Sequence, residues 1–312
     1  MKVRVARHHE RHPHRALSMI VEQVMSGEIM STPGRGVYGL RVHGLDKVSE
    51  LLPAEGVALG WPTVRVRQLD APPPPPVPLD NRRGTRVLAD GRTLALDRVA
   101  GTATFYGPAL TPDVLAHPYL APVATTVNRW VGREAFHSGA FVLGGRAWAV
   151  LGPRTAGKSS LLAALAARGV PILTDDILVV DGTDAFAGPR CVDLRQPVPG
   201  AALPTWPVRA GDRLRVGLPP IQPCVPLGGW LFLRWGDAVT LTRLPGTTLL
   251  ARLAGQRSFG QLRSDPAALL SIAALPAWEL TRPRDWAALD DTHRLLADTI
   301  TASRAVGSGQ GR

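Results

Sequence analysis

The 312-residue chain has two cysteines and three lysines, and aromatic residues make up 5% of it. Each scarcity removes a class of protein. Cys191 and Cys224 have no CxxC partner and no metal-ligand spacing, so the sequence encodes neither a disulfide framework nor a structural zinc site. They read as free thiols of a reducing compartment. No run of roughly 18 apolar residues is present, and the basic start MKVRVARHHERHPH lacks the apolar stretch of a secretory signal. No membrane partner and a cytoplasmic location are therefore expected. The formal charge is +11, but apart from Lys2, Lys47 and Lys158 its carriers are arginines, scattered rather than gathered into a stripe with interleaved aromatics. That pattern does not point to nucleic acid. An acidic protein or peptide partner, or a nucleotide, accounts for the charge equally well.

What the chain does have is a length sufficient for one or two domains. Residues 1–35 are polar and charge-rich and read as a disordered basic extension. It holds His8, His9, His12 and His14, and Met30 is an alternative start just before the ordered pattern begins. Residues 36–118 read as a small β-rich domain, with strands at 37–42, 61–66, 86–89, 93–96 and 102–105. Five prolines at 72–76 form a stiff connection within it. Residues 119–302 read as an α/β domain and 303–312 as a flexible tail. Within the second domain a helix is expected over 124–131 and a proline- and glycine-rich loop over 196–228. Strands are expected at 229–233, 239–244 and 278–280, and helices at 266–275 and 285–299, the last burying Trp286, Leu289, Leu295 and Ile300.

The informative stretch is 148–181. Trp148–Leu151 is a short apolar strand, Gly152-Pro-Arg-Thr-Ala-Gly-Lys-Ser159 fits G-x-x-x-x-G-K-[ST], and Ser160–Arg168 is a helix capped by Gly169. A second strand, 171–174, ends in Asp175-Asp176. Backbone N–H groups of such a loop form a concave nest for phosphate, reinforced by the positive end of the following helix. A nucleotide would therefore meet Gly152, Arg154, Thr155, Ala156, Gly157, Lys158, Ser159 and Ser160. Lys158 would reach its terminal phosphates and Ser159 would ligate Mg²⁺. Gly144-Gly145 makes a hairpin, which puts His137 at the start of the strand antiparallel to the one feeding the loop. Adjacent aspartates on a strand point to opposite faces, so only a strand end or a bulge lets both address one site.

His137-Ser-Gly, the glycine loop and R-G-x-x-x-x-x-D-D at 168–176 together resemble the catalytic domain of the HPr kinase/phosphorylase family, over about residues 120–300. The closing Arg282-Pro-Arg-Asp-Trp-Ala-Ala-Leu is similar to the family's C-terminal helix. The resemblance implies a P-loop domain of the phosphoenolpyruvate-carboxykinase type with a mixed sheet. It implies phosphoryl transfer from ATP with Mg²⁺ to a serine hydroxyl of a protein or peptide, and a homo-oligomer is possible. Carried over by position, Lys158 contacts the phosphates, Asp175 is the base and His137 orients it. Asp176 and Ser159 hold Mg²⁺, Asp193 is a second magnesium ligand and Arg195 a phosphate contact. The family's acidic-x-Arg-Gly signature is reduced here to Asp193-Leu-Arg195-Gln, so the resemblance does not carry the phosphorylase reaction or HPr as substrate. Two rivals stay open: a catalytically inactive nucleotide-binding scaffold that recruits a peptide or protein, and a plain ATPase.

Overall fold

Short alternating apolar runs divided by glycine turns build the first of three sheets. The computed structural model describes residues 33–307, so the four N-terminal histidines and most of the basic extension lie outside the described residues. Strands β1 (Arg35–Val37), β2 (Leu40–His43), β3 (Thr63–Leu69), β4 (Arg83–Val87), β5 (Thr93–Asp97) and β6 (Thr102–Tyr106) form a six-stranded mixed sheet in the order β1-β2-β3-β6-β5-β4. The expected strand over 37–42 is instead a hairpin. Tyr38 and Gly39 both take positive φ, 55° and 74°, and turn the chain between β1 and β2. Such a two-residue turn matches the strand twist only with both residues left-handed.

The rest of the chain adds β7 (Glu134–Phe136), β8 (Gly139–Leu143), β9 (Arg146–Leu151), β10 (Ile172–Thr174), β11 (Leu178–Asp181), β12 (Asp184–Phe186), β13 (Cys191–Leu194), β14 (Thr205–Val208), β15 (Arg213–Gly217), β16 (Cys224–Trp235), β17 (Thr240–Arg243) and β18 (Ala277–Arg282). Helices are α1 (Leu120–Trp130), α2 (Lys158–Ala167), α3 (Gly246–Gln256), α4 (Pro266–Ala273) and α5 (Leu289–Gly307). A nine-stranded mixed sheet runs β10-β8-β9-β16-β12-β11-β7, with β18 on β16 and β17 on β18. The long strand β16 joins its halves: its first residues pair with β12, and its remainder lies parallel between β9 and β18. The carboxyl ends of three parallel strands, β9, β16 and β18, thus meet at one edge, where ligands of open α/β sheets bind.

Three differences from the sequence expectation stand out. The loop predicted over 196–228 contains β14 and β15, which join β13 in a separate antiparallel sheet. Proline and glycine mask that hairpin, whose strands pair with each other and whose β15 adds to β13. Helix α3 follows β17 where no element was expected. Helix α5 continues to Gly307, past the expected start of the tail, and it buries Leu289, Leu296 and Ile300 rather than Leu295.

The apolar faces meet in shared cores. Leu120, Val123, Val127 and Trp130 of α1 pack with the first sheet, and Ile177, Val179 and Phe186 of the second sheet join the same cluster. Helix α2 is buried over the whole run 161–165, because it is covered by the large sheet on one side and by β13 and α5 on others. At about 25 cal/mol per Å², each fully buried leucine there contributes about 2 kcal/mol toward holding the loop that precedes the helix.

Candidate active site

The loop 152–157 leaves the end of β9 and enters α2 through Gly157, which has φ 78° and caps the helix. A side chain at Gly157 would be strained on two counts. Its backbone is left-handed, and a Cβ would lie 2.6 Å from Arg282 Nη2 and 3.0 Å from the Trp235 ring. Those two residues are register partners at the ends of β16 and β18. They brace the loop from outside: Arg282 donates to the Gly157 carbonyl at 3.1 Å, and Trp235 Nε1 donates to the Thr155 carbonyl at 3.2 Å. The Arg282 guanidinium lies over the Trp235 ring, 4.4 Å from its centroid. Burial pulls Arg282 down to about 10, and no carboxylate pairs with it among the described residues. Lys158 donates to the Gly152 carbonyl at 2.8 Å, and burial lowers its pKa as well. The loop is therefore lined by cations that form no carboxylate ion pair among the described residues, Lys158 feeling Asp175 and Asp176 only through space, which is the electrostatic form of an anion site.

Opposite the loop lies the acidic pair. Asp175 follows β10, and its Oδ1 accepts from Ser159 Oγ at 3.1 Å. Asp176 takes φ 74°, which breaks the strand alternation and lets both carboxylates line one cavity. Asp175 is buried, and that burial, reinforced by the charge of Asp176, pushes its pKa up to about 7 against the opposing hydrogen bond from Ser159. The His137 ring approaches Asp176, with Nδ1 3.7 Å from Oδ1. Desolvation and then Lys158 lower the imidazole pKa, so it is neutral at pH 7. His137 is held by its backbone N–H, which donates to the carbonyl of Gln256 at the end of α3, next to the Phe136–Arg257 bridge to β7. The histidine thus meets Asp176, whereas the sequence expectation joined it to Asp175.

Asp193, on β13, lines the same cavity in a different state. Arg215 Nε reaches its Oδ1 at 2.8 Å, Arg209 Nη2 reaches its Oδ2 at 2.8 Å, and His117 Nε2 lies 3.9 Å from Oδ2. Burial opposes ionisation of Asp193, but the Arg215 hydrogen bonds, with His117 and Arg209, hold its pKa below the usual carboxylate value. Its charge is already compensated, which leaves it poorly suited to the magnesium role. Ligand atoms of His117, Cys191 and Asp193 lie within 4.8 Å of one another. The Arg215 cation stands in their midst, and burial pushes the Cys191 thiol well up, so the trio does not offer the deprotonated ligands a metal needs.

The whole forms one cavity of about 1030 Å³. Gly152, Arg154, Thr155, Ala156, Gly157, Lys158, Ser159, Ser160, His137, Asp175, Asp176 and Asp193 all line it, so every residue singled out in the sequence comes to one place. Arg282, Trp235 and Arg209 were missed. One arginine among many, and a tryptophan at a strand end, carry no sequence signal of their own. Only the parallel registration of β16 and β18 beside β9 brings them to the loop. No family model and no curated protein matches the sequence. Among solved structures the chain is similar to the Hpr(Ser) kinase/phosphatase from Coxiella burnetii, with 13% identity and a TM-score of 0.27, over 56% of this chain and 99% of that one. At that identity and TM-score the likeness carries no inference about chemistry.

Proposed function

We propose that this chain is an ATP- and Mg²⁺-dependent kinase, with a P-loop at 152–159, that transfers a phosphoryl group to a serine hydroxyl of a protein or peptide. The observation that carries the reading is the convergence of unpaired cations, the bonded pair Ser159–Asp175 and the pair His137–Asp176 in one cavity. Phosphoryl transfer needs a cradle, a counter-charge and a group that orients the nucleophile.

The hard-oxygen pair of half-buried Ser159 and buried Asp175 fits Mg²⁺, since Asp175 is a carboxylate with no ion-pair partner among the described residues. When bound there, the ion would neutralise charge on the phosphates. Lys158 and the loop amides hold the phosphate chain, with Arg282 behind them. The acceptor hydroxyl gives its proton to the Asp176 carboxylate, which the neutral His137 orients. The serine oxygen bonds to the terminal phosphorus, and the bond from phosphorus to the bridging oxygen breaks, releasing ADP. This assignment departs from the positional carry-over, which made Asp175 the base. The bond from Ser159 and the deep burial suit Asp175 to the metal, and the more exposed Asp176 suits the acceptor.

With γ-labelled ATP and a library of serine peptides, Asp176→Asn should cut transfer about 100- to 10,000-fold while nucleotide binding persists. Unchanged transfer in that variant sinks the assignment. Lys158→Ala should weaken nucleotide binding itself. Nucleotide binding with no transfer to any acceptor would instead favour the inactive scaffold.

A further inference from the structure

Cations reach the cavity from two sheets, and only one of those sheets feeds the glycine loop. The large sheet, with the loop and helix that follow β9, brings Lys158, Arg154 and Arg282. The three-stranded sheet brings Arg195, just after β13, and Arg209 and Arg213, at the β14–β15 turn. Asp193, on that second sheet, lines the cavity together with Asp175 and Asp176. Arg195 has no carboxylate partner among the described residues, and Arg213 pairs only with its exposed sequence neighbour Asp212. The turn that presents them is strained. Arg209 and Ala210, neither of them glycine, both have φ 54°. A conformation of that kind is costly for a residue with a side chain and persists where the surroundings enforce it. Here the Arg209–Asp193 ion pair does so.

We infer that the acceptor is an acidic peptide segment, whose carboxylates beside the serine seat on Arg195 and Arg213 of the second sheet. The inference rests on the kinase reading for the position of the serine, and it deepens that reading by naming the acceptor's chemistry. Nucleotide phosphates are met by the loop side, so the second group of cations is left for the other reactant. Arg195 and Arg213 would offset the repulsion that Asp175 and Asp176 exert on such an anionic segment.

The experiment uses the full chain and short peptides with a central serine flanked by glutamates, by glutamines or by lysines. Both transfer and binding of labelled peptide are measured. The glutamate peptide should be used about tenfold better in kcat/KM than the glutamine one, with the difference mainly in KM. In the double variant Arg195→Glu and Arg213→Glu the preference should invert toward the lysine peptide, while the melting temperature stays near that of the parent. Equal use of the three peptides, or a glutamate preference untouched by the charge reversal, overturns the inference. Tighter binding of a single-stranded oligonucleotide than of the glutamate peptide also overturns it. Selective binding of the glutamate peptide without any transfer supports the acidic partner and removes the kinase.

Discussion

Asp175 and Asp193 line one cavity, both are nearly inaccessible, and burial acts on both in the same direction, yet their titration shifts apart. Asp193 is enclosed by Arg215, Arg209 and His117 and ionises more readily than a free carboxylate. Asp175 has another aspartate as its neighbour, only the Ser159 hydroxyl and the Asp176 backbone N–H as donors, and its pKa rises to about 7. The first carboxylate is satisfied by the fold. The second has no ion-pair partner among the described residues and feels Lys158 only through space. Carboxylates whose surroundings push their pKa values apart are suited to different tasks, Asp193 to anchoring the fold and Asp175 to the proposed metal role.

The largest expected effect tests the anchor. Asp193→Asn leaves the buried Arg215 guanidinium without its two close carboxylate contacts, and it should destabilise the protein by about 3–5 kcal/mol, read as a lower denaturation midpoint. A change under about 1 kcal/mol would mean that Glu50 and Asp113, which approach Arg215 at 3.6 Å, replace it.

A smaller effect tests the proposed metal role of Asp175. Below about pH 7 a proton occupies Asp175 and the cation must displace it. Magnesium-dependent nucleotide binding should therefore be about tenfold weaker near pH 6 than near pH 8. A flat profile would remove Asp175 from the metal site and restore the positional carry-over.

The smallest effect concerns stability and has the opposite sign from Asp193. The folded pKa of Asp175 lies above its ordinary value of 3.8, so the folded state binds more protons and stability falls as pH rises from about 4 to about 7. Asp175→Asn removes that loss and should stabilise the metal-free protein by about 1 kcal/mol near pH 8, with the gain gone near pH 4. Destabilisation at both pH values would show that the carboxylate is structural, like Asp193.

The site was legible in the sequence to the extent that it is local. The loop 152–159, the helix after it, the hairpin at Gly144-Gly145 and the double aspartate are contiguous patterns whose geometry follows from a few residues each. The strand-end requirement for two adjacent aspartates was also legible, and the positive φ of Asp176 meets it. The partners of those aspartates were not legible. His137 reaches Asp176 rather than Asp175 because that left-handed residue turns its carboxylate toward the β7–β8 connection. The β14–β15 hairpin was hidden because proline and glycine mask it, and the brace of Arg282 and Trp235 was hidden because it is made by strands far apart in the chain.

The sequence by itself determined the anion loop, the donors it offers and the identity of the acids facing it, because backbone amides and short-range turns need only their neighbours. The tertiary structure decided which acid is neutralised and which is left strained. Charge compensation depends on arginines brought in from distant strands, and burial is a property of the packed core that no local stretch contains.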